Sequence, residues 1–326
     1  MTTILITGGA GFIGSNFINL LFEDNAWKST KIINYDILTY AGNPNNILKK
    51  NSNNYLFIQG DICDLKTLNK VFENKIDYVV NFAAETHVDR SITNPSIFVK
   101  TNILGTQILL DTCLKYKVKK FIQVSTDEVY GPSENNKIAN ENSPLNPTSP
   151  YAASKAAADL LCLAYFKTFS FPVTITRSCN NYGEYQYPEK LIPFFISKLV
   201  KNCPVTLYGD GQNIRTWLYV KDNCRAILDV LEKGEYGEIY NICGKTELTN
   251  FQLTELIIKE LGKSNDLISF VSDRAAHDYK YSMTCDKIKK NMLWNEKFSF
   301  VSKLKHTINW YLEHLDWIKY MESKQW

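Results

Sequence analysis

A strand that runs into three regularly spaced glycines and then into a helix constrains this chain more than any other stretch. Thr3-Ile4-Leu5-Ile6-Thr7 reads as a buried strand, and Gly8-Gly9-Ala10-Gly11-Phe12-Ile13-Gly14 as the turn after it. Phe17, Ile18, Leu20, Leu21 and Phe22 then give a helical pattern. Gly8, Gly11 and Gly14 allow a tight turn, close approach of backbone to a pyrophosphate, and contact of helix with strand. The helix N-terminus offers unpaired N–H groups to phosphates. A glycine triplet alone is a weak signal, but between a strand and a helix it is a specific one.

The pattern repeats. Lys31–Asp36 reads as a second strand, and its terminal carboxylate lies 25 residues after Gly11. Asp36 in that place accepts hydrogen bonds from ribose hydroxyls and repels a 2′-phosphate, which favours NAD over NADP. A third strand, Tyr55–Gly60, leads to Asp61 and Ile62. Asp61 either meets the adenine amino group with Ile62 alongside, or caps the helix that starts at Leu65. A fourth strand, Asp77–Phe82, ends in Ala83-Ala84, small enough for the chain to run close to a cofactor. Alternating strands and helices imply right-handed crossovers. The expected fold class is α/β: a Rossmann-like doubly wound parallel sheet with a smaller α/β C-terminal substrate-binding domain. Residues 1–178 form the NAD-binding part, with 212–245 returning to it, and 179–326 mainly bind substrate.

Length and composition set the outer limits. At 326 residues the chain is long for one core. Its 37 basic and 34 acidic residues are too balanced for a nucleic-acid binder. Neither a secretory signal nor an apolar run of the roughly 18 residues that span a membrane is visible. Eight cysteines without a C-x-x-C pair read as free thiols of a cytoplasmic protein. Four histidines without ligand spacing give no metal site.

The chemistry gathers after the fifth strand-like run, Lys120–Ser125. Thr126-Asp127-Glu128 places a hydroxyl and two carboxylates at its end. Ser149-Pro150 starts a helix by capping and by proline in the first turn, and Tyr151 and Lys155 share one face of it. A lysine cation there stabilises a phenolate whose ordinary pKa is about 10. Tyr151 is thus a base for an alcohol proton. Alcohol oxidation needs only that pair, so the carboxylates point to a further step on the same substrate. Glu85–Ser91 reads as a polar loop at the end of the fourth strand, and His87 in it either touches substrate or is solvated. A long helix from Pro95 to Tyr116 carries apolar residues on more than one side, which fits either packing against a second subunit or a wholly internal core.

Gly8-x-x-Gly11-x-x-Gly14 with Tyr151-x-x-x-Lys155 resembles the extended short-chain dehydrogenase/reductase superfamily. Three further stretches narrow the likeness: Ser125–Gly131, Ala83–Ser91, and Asn180-Asn181-Tyr182-Gly183 followed by Tyr187–Pro193. Together they resemble the dTDP-glucose 4,6-dehydratases, from residue 2 to about residue 320. The resemblance implies oxidation at C4 with Tyr151 as base and Thr126 on the C4 oxygen. Glu128 then takes the C5 proton, Asp127 protonates the leaving C6 hydroxyl, and hydride returns to C6. Such a product supplies deoxysugar pathways such as rhamnose or amino-sugar synthesis. The resemblance also places Phe12, Ile13, Thr101 and Asn181 beside NAD. It makes Glu85, His87, Asn180, Glu189, Lys190, Tyr208, Arg215, Asn250, Arg274 and Tyr281 sugar-nucleotide contacts. A homodimer through the helices at about 95–116 and 150–168 is implied as well.

The chain departs from the family pattern in places. Arg274-Ala275-Ala276-His277-Asp278-Tyr279-Lys280-Tyr281-Ser282 stands for Arg-x-Gly-His-Asp-Arg-Arg-Tyr-Ala. Glu184 and Thr206 replace prolines, and Ser178-Cys179 reverses Cys-Ser. The catalytic stretches are intact, so the base of the nucleotide stays open, with UDP-glucose as the nearest alternative. A sugar-nucleotide 4-epimerase and a non-catalytic NAD-binding scaffold are the other readings. The carboxylate pair argues against the first, and the full set with Tyr151 and Lys155 against the second.

Overall fold

The computed structural model describes residues 2–273 and 277–324. The first strands in chain order are β1 (Thr3–Thr7), β2 (Lys31–Asp36), β3 (Tyr55–Gln59), β4 (Tyr78–Asn81), β5 (Lys120–Thr126) and β6 (Val173–Ser178). Then come β7 (Asn180–Tyr182), β8 (Val205–Tyr208), β9 (Ile214–Tyr219), β10 (Ile239–Ile242), β11 (Thr246–Thr249) and β12 (Ile268–Val271). Seven of them form one parallel sheet in the order β10-β6-β5-β4-β1-β2-β3. The expected α/β architecture is therefore present. Every residue of β1, β5 and β6 is buried, as a sheet covered on both faces requires. Alternate residues of β1 feed two cores: Ile4 and Ile6 pack on one face, Leu5 on the other.

The strand order reverses between β1 and β4, the position at which open parallel sheets bind ligands beyond their carboxyl ends. β7 leads out of the large sheet into a small one, ordered β11-β9-β7. The chain then returns: the helix Val220–Lys233 packs on the large sheet, and β10 pairs with β6. β8 pairs in parallel with β12.

Local details differ from the sequence pattern in two places, the long helix and the polar loop. β8 takes its partner from residues 268–271, and the positive-φ turn at Gly209 and Gly211 sends the chain on to β9. The long helix after Pro95 is not uniformly α: Val99–Gly105 is wound as a wider π turn between Pro95–Phe98 and Thr106–Lys115. The polar loop after Ala84 becomes a helix at Val88–Thr93, with His87 as its N-cap. The chain ends in two successive helices, Phe300–Glu313 and Leu315–Glu322. No helix of the described residues is long and apolar enough to cross a membrane.

One buried ion pair ties the helix Pro150–Phe169 to the sheet. Arg177 on β6 donates from Nε to Asp159 Oδ2 at 2.8 Å, with 1% and 0% of the two residues exposed. Its guanidinium lies 4.8 Å from the Tyr130 ring. Removing one partner strands the other charge inside the protein. Asp159→Ala is expected to lower unfolding free energy by about 3–5 kcal/mol, read by denaturant titration. A loss under ~1 kcal/mol, the range of an exposed pair, would contradict this account.

Candidate active site

A cavity of about 400 Å³ opens at the carboxyl ends of β1 to β6. Its walls bring together residues that are far apart in the chain, and one end is built around the glycine turn. Gly8 has φ +66°, and a Cβ there would lie 2.6 Å from the Ala83 nitrogen. A Cβ at Gly14 would clash with the Gly8 carbonyl. Phe12, Ile13, Gly11, Ile62, Ala83, Ala84 and Thr101 line the same end. The Asp36 carboxylate ends β2 and accepts from the Ala10 and Leu38 N–H groups at 2.9 and 2.8 Å. Burial raises its pKa against those two bonds. Asp61 also lines the cavity, and its side chain accepts from Cys63 N–H at 2.8 Å. The capping alternative for Asp61 fails, because Asp64 caps the helix at Leu65 by accepting from Lys66 and Thr67.

The opposite wall holds Thr126, Asp127, Glu128, Tyr151 and Lys155. Thr126 ends β5, and its hydroxyl accepts from Glu128 N–H at 3.3 Å and lies 3.3 Å from Asp127 Oδ1. Asp127–Tyr130 forms a tight 3₁₀ turn that aims both carboxylates inward. Burial, then the neighbouring Glu128 charge, push the Asp127 carboxyl up to about 7. Ser149 caps the site helix Pro150–Phe169 by accepting from Ala152 N–H at 3.1 Å. Lys155 donates to the Val124 carbonyl at 2.6 Å. Burial lowers its pKa and the Asp159 charge opposes that. The folded chain by itself does not produce the expected lowering of Tyr151. Burial, then Glu128, raise the phenol above its ordinary value, and only a hydrogen bond with Thr126 pulls it down.

Glu85, Asn180, Asn181, Glu189 and Lys190 complete the walls. Glu189 meets Arg90 at 2.9 Å and His87 at 3.7 Å, and accepts from the Tyr40 hydroxyl at 3.1 Å. The Arg90 guanidinium lies 4.0 Å from the Tyr40 ring. His87 stands behind the wall residue Glu189, accepting from Arg90 N–H through Nδ1, and burial lowers its pKa. Lys190 reaches the Thr86 carbonyl at 3.0 Å. Asn181 Oδ1 is buried without a hydrogen-bond partner, an acceptor aimed at something the protein does not supply.

Arg215, Tyr281, Asn250 and Tyr208 do not line this cavity. Arg215 donates to the Ile214, Asp278 and Tyr279 carbonyls at 2.7, 2.9 and 3.2 Å, and its guanidinium lies 4.7 Å from the Tyr281 ring. Tyr281 donates to Asp278 at 2.7 Å. The Arg215 charge acts on Asp127, and the Glu128 charge on Tyr281, so this group borders the carboxylates from outside. Asn250 begins a helix with its N–H on the Asn213 carbonyl at 3.0 Å. Tyr208 is 41% exposed, with its ring edge-on to His277 at 6.0 Å. Arg274 lies outside the described residues.

Asn102 escaped the sequence reading. It sits in the π turn, accepts from Glu85 N–H at 2.9 Å, and donates to the Glu85 carbonyl at 3.0 Å and to Ser154 Oγ at 2.8 Å. Ser154 in turn donates to the Tyr151 carbonyl at 2.7 Å. One amide thus couples the Glu85 loop to the Tyr151 helix. No spacing announces it, since its partners lie 17 and 52 residues away.

Residues 5–307 match the family described as GDP-mannose 4,6 dehydratase, which sets the class as nucleotide-sugar dehydratases of the short-chain dehydrogenase/reductase type. The full-length relatives are more specific. The dTDP-glucose 4,6-dehydratase of Streptomyces niveus is 45% identical over 323 residues, covering 98% of this chain and 96% of that one. Among solved structures, DesIV of Streptomyces venezuelae, a dTDP-glucose 4,6-dehydratase with NAD and TYD bound, superposes with a TM-score of 0.95 at 44% identity. That match covers 98% of this chain and all of the other. The UDP-glucose 4-epimerase of Thermotoga maritima reaches 0.89 at 30% identity, covering 96% of this chain and 100% of that one. The chain belongs to the dTDP-glucose 4,6-dehydratase family.

Asn102→Ala leaves the Glu85 N–H and carbonyl unpaired in a buried place. The expected cost is about 1–3 kcal/mol of unfolding free energy, measured in denaturant. An unchanged midpoint would remove Asn102 from this role.

Proposed function

We propose that this protein dehydrates dTDP-glucose to dTDP-4-keto-6-deoxyglucose and water, with NAD as a cofactor regenerated in each cycle. The observation that carries the reading is the buried Thr126-Asp127-Glu128 turn facing Tyr151, with one carboxyl held protonated near neutrality. The cavity fits NAD at its glycine end: the cradle that a Cβ at Gly8 would fill, Asp36 at the end of β2, and the unpaired Asn181 oxygen. In this reading Gly8, Gly11, Gly14, Asp36, Asp61, Ile62, Thr101 and Asn181 hold the cofactor. When bound, NAD supplies a hydride acceptor and a nearby positive charge.

Tyr151 takes the proton of the C4 hydroxyl while Thr126 holds its oxygen, and the carbon–hydrogen electron pair leaves as hydride. Lys155, fixed on the Val124 carbonyl, keeps a cation beside the phenolate as it forms. The C4 ketone acidifies C5–H. Glu128 removes that proton, Asp127 protonates the C6 hydroxyl, and the C6–O bond breaks with loss of water. Hydride return to C6 and reprotonation of C5 complete a 6-methyl group. Two adjacent carboxyls divide the work because both cannot ionise cheaply at such short range. Asp127 is competent as an acid below about pH 7, and its protonated fraction falls above that. Glu85, Asn180, Glu189 and Lys190 bind the sugar and diphosphate, with Arg215, Tyr281, Asn250 and Tyr208 closing on the nucleotide. Residues 1–178 with 212–245 act as the cofactor part and 179–326 mainly as the substrate part, a division supported by the pairing of β10 with β6.

The test offers the purified protein dTDP-, UDP-, GDP- and CDP-glucose separately in deuterated water with NAD. Loss of one water with one carbon-bound deuterium gained, fastest on dTDP-glucose, is expected. An isomer of unchanged mass would identify an epimerase, and NAD binding without any product would leave a scaffold. Asp127→Asn and Glu128→Gln are each expected to lower turnover by roughly 10²–10⁴ while reduced nicotinamide builds up on the enzyme. Wild-type turnover in either variant would remove that role.

We further propose a cytoplasmic homodimer. Free thiols at all eight cysteines fit a reducing compartment. Val99 and Leu104 on the 95–116 run and Leu160 on the site helix are 52%, 47% and 56% exposed, a surface suited to a second copy. Leu104→Glu with Leu160→Glu is expected to shift sedimentation from dimer to monomer. A wild-type monomer at micromolar concentration would overturn the assignment.

A further inference from the structure

Cys243 follows β10 in the large sheet, and Cys285 opens the helix Asp286–Met292. Neither takes part in the chemistry above. Their Sγ atoms lie 2.7 Å apart. Even two carbon-sized atoms without a bond rest about 3.5–4.0 Å apart. The pair is buried, 9% and 1% exposed. The Cys243 thiol donates to the Cys285 sulfur, Cys285 Sγ lies 3.4 Å from the Cys243 carbonyl, and the Lys289 charge one turn further on acts on Cys285. The Cys243 bond first, then Lys289, hold Cys285 down at about 6, while Cys243 is raised chiefly by its bond to Cys285. Cys285 is thus the more acidic thiol of the pair and Cys243 the less acidic one. Cys179, whose sulfur accepts from Gly244 N–H at 3.5 Å, is a different kind of thiol, raised well above its ordinary range by burial. Among the described residues no group of three or more His, Cys, Asp or Glu side chains that could hold a metal ion is present.

We propose that Cys243 and Cys285 are a redox-active thiol pair that closes to a reversible disulfide under a peroxide. The Cys285 thiolate attacks the peroxide O–O bond, giving a sulfenic acid and hydroxide. Cys243 then attacks the sulfenic sulfur, the S–O bond breaks, and water leaves. The peroxide is reduced and the two thiols are oxidised; an external dithiol reverses the step by exchange. Local opening of the seven-residue helix admits the small oxidant.

The bond would join the carboxyl end of β10 to the segment that carries Tyr281. That segment is already pinned nearby, where Asn241 donates to the Thr284 carbonyl at 3.1 Å. Closure requires little movement and spans 42 residues of chain, so it constrains the unfolded state more than it alters the folded one.

The test treats the full-length protein with hydrogen peroxide, alkylates remaining thiols under denaturing conditions, and maps peptides by mass spectrometry. A Cys243–Cys285 linked peptide that dithiothreitol abolishes is expected, with a melting midpoint several degrees above the reduced protein. Cys243→Ala is expected to strand Cys285 as a sulfenic acid that dimedone captures, and Cys285→Ala to show neither link nor adduct. Full alkylation of both cysteines after peroxide, a link to Cys179 instead, or no dimedone adduct in Cys243→Ala would each overturn the proposal.

Discussion

Exclusion of water from charged groups is the constraint on which this structure turns. Asp127, Tyr151, Lys155, Asp159 and Arg177 are all buried at the carboxyl end of the sheet. Each would be unstable there alone, and each is offset by a neighbour: Lys155 by the Val124 carbonyl and Asp159, Arg177 by Asp159 and the Tyr130 ring. Asp127 is treated differently. Its burial is left only partly compensated, so it keeps its proton near neutrality. The same desolvation that makes the core costly thus raises the Asp127 carboxyl, with the Glu128 charge adding to it.

The sequence carried most of this at the level of elements. The glycine turn, the acidic end of β2, the small residues after β4 and the Tyr151–Lys155 helix are local signals, each written in fewer than ten neighbouring residues, and the structure puts them around one cavity. What escaped was non-local. The Asn102 clamp depends on a π turn that no residue type demands. The Tyr40–Arg90–Glu189 group joins three distant segments. The β8–β12 pairing is non-local too, since turn glycines after β8 look the same whether the next strand folds back on it or not.

The departures from the family pattern also acquire a physical reading. Glu184, standing for a proline, is buried at 4% exposure. It accepts from the Tyr219 hydroxyl at 2.8 Å and meets His306 at 2.8 Å and Lys221 at 3.6 Å. Burial works to raise its pKa, yet Lys221, His306 and Tyr219 together hold it below its ordinary value. The substitution therefore brought its own hydrogen-bonding group, away from the catalytic wall. Ser178 likewise donates to Asn223 at 2.8 Å, so its hydroxyl is placed in the core rather than merely exchanged with Cys179.

The late return of β10 to the sheet bears on how the chain is made. β6 is complete at residue 178, but its outer edge gains a partner only when residues 239–242 exist. During synthesis at about 5–20 residues per second, that edge stays open for several seconds. An unpaired, fully buried-type strand is a template for other chains. The ribosome-bound protein thus passes through a period in which its most apolar sheet is unfinished. Protection in that interval must come from outside the chain or from the speed with which residues 180–242 fold back.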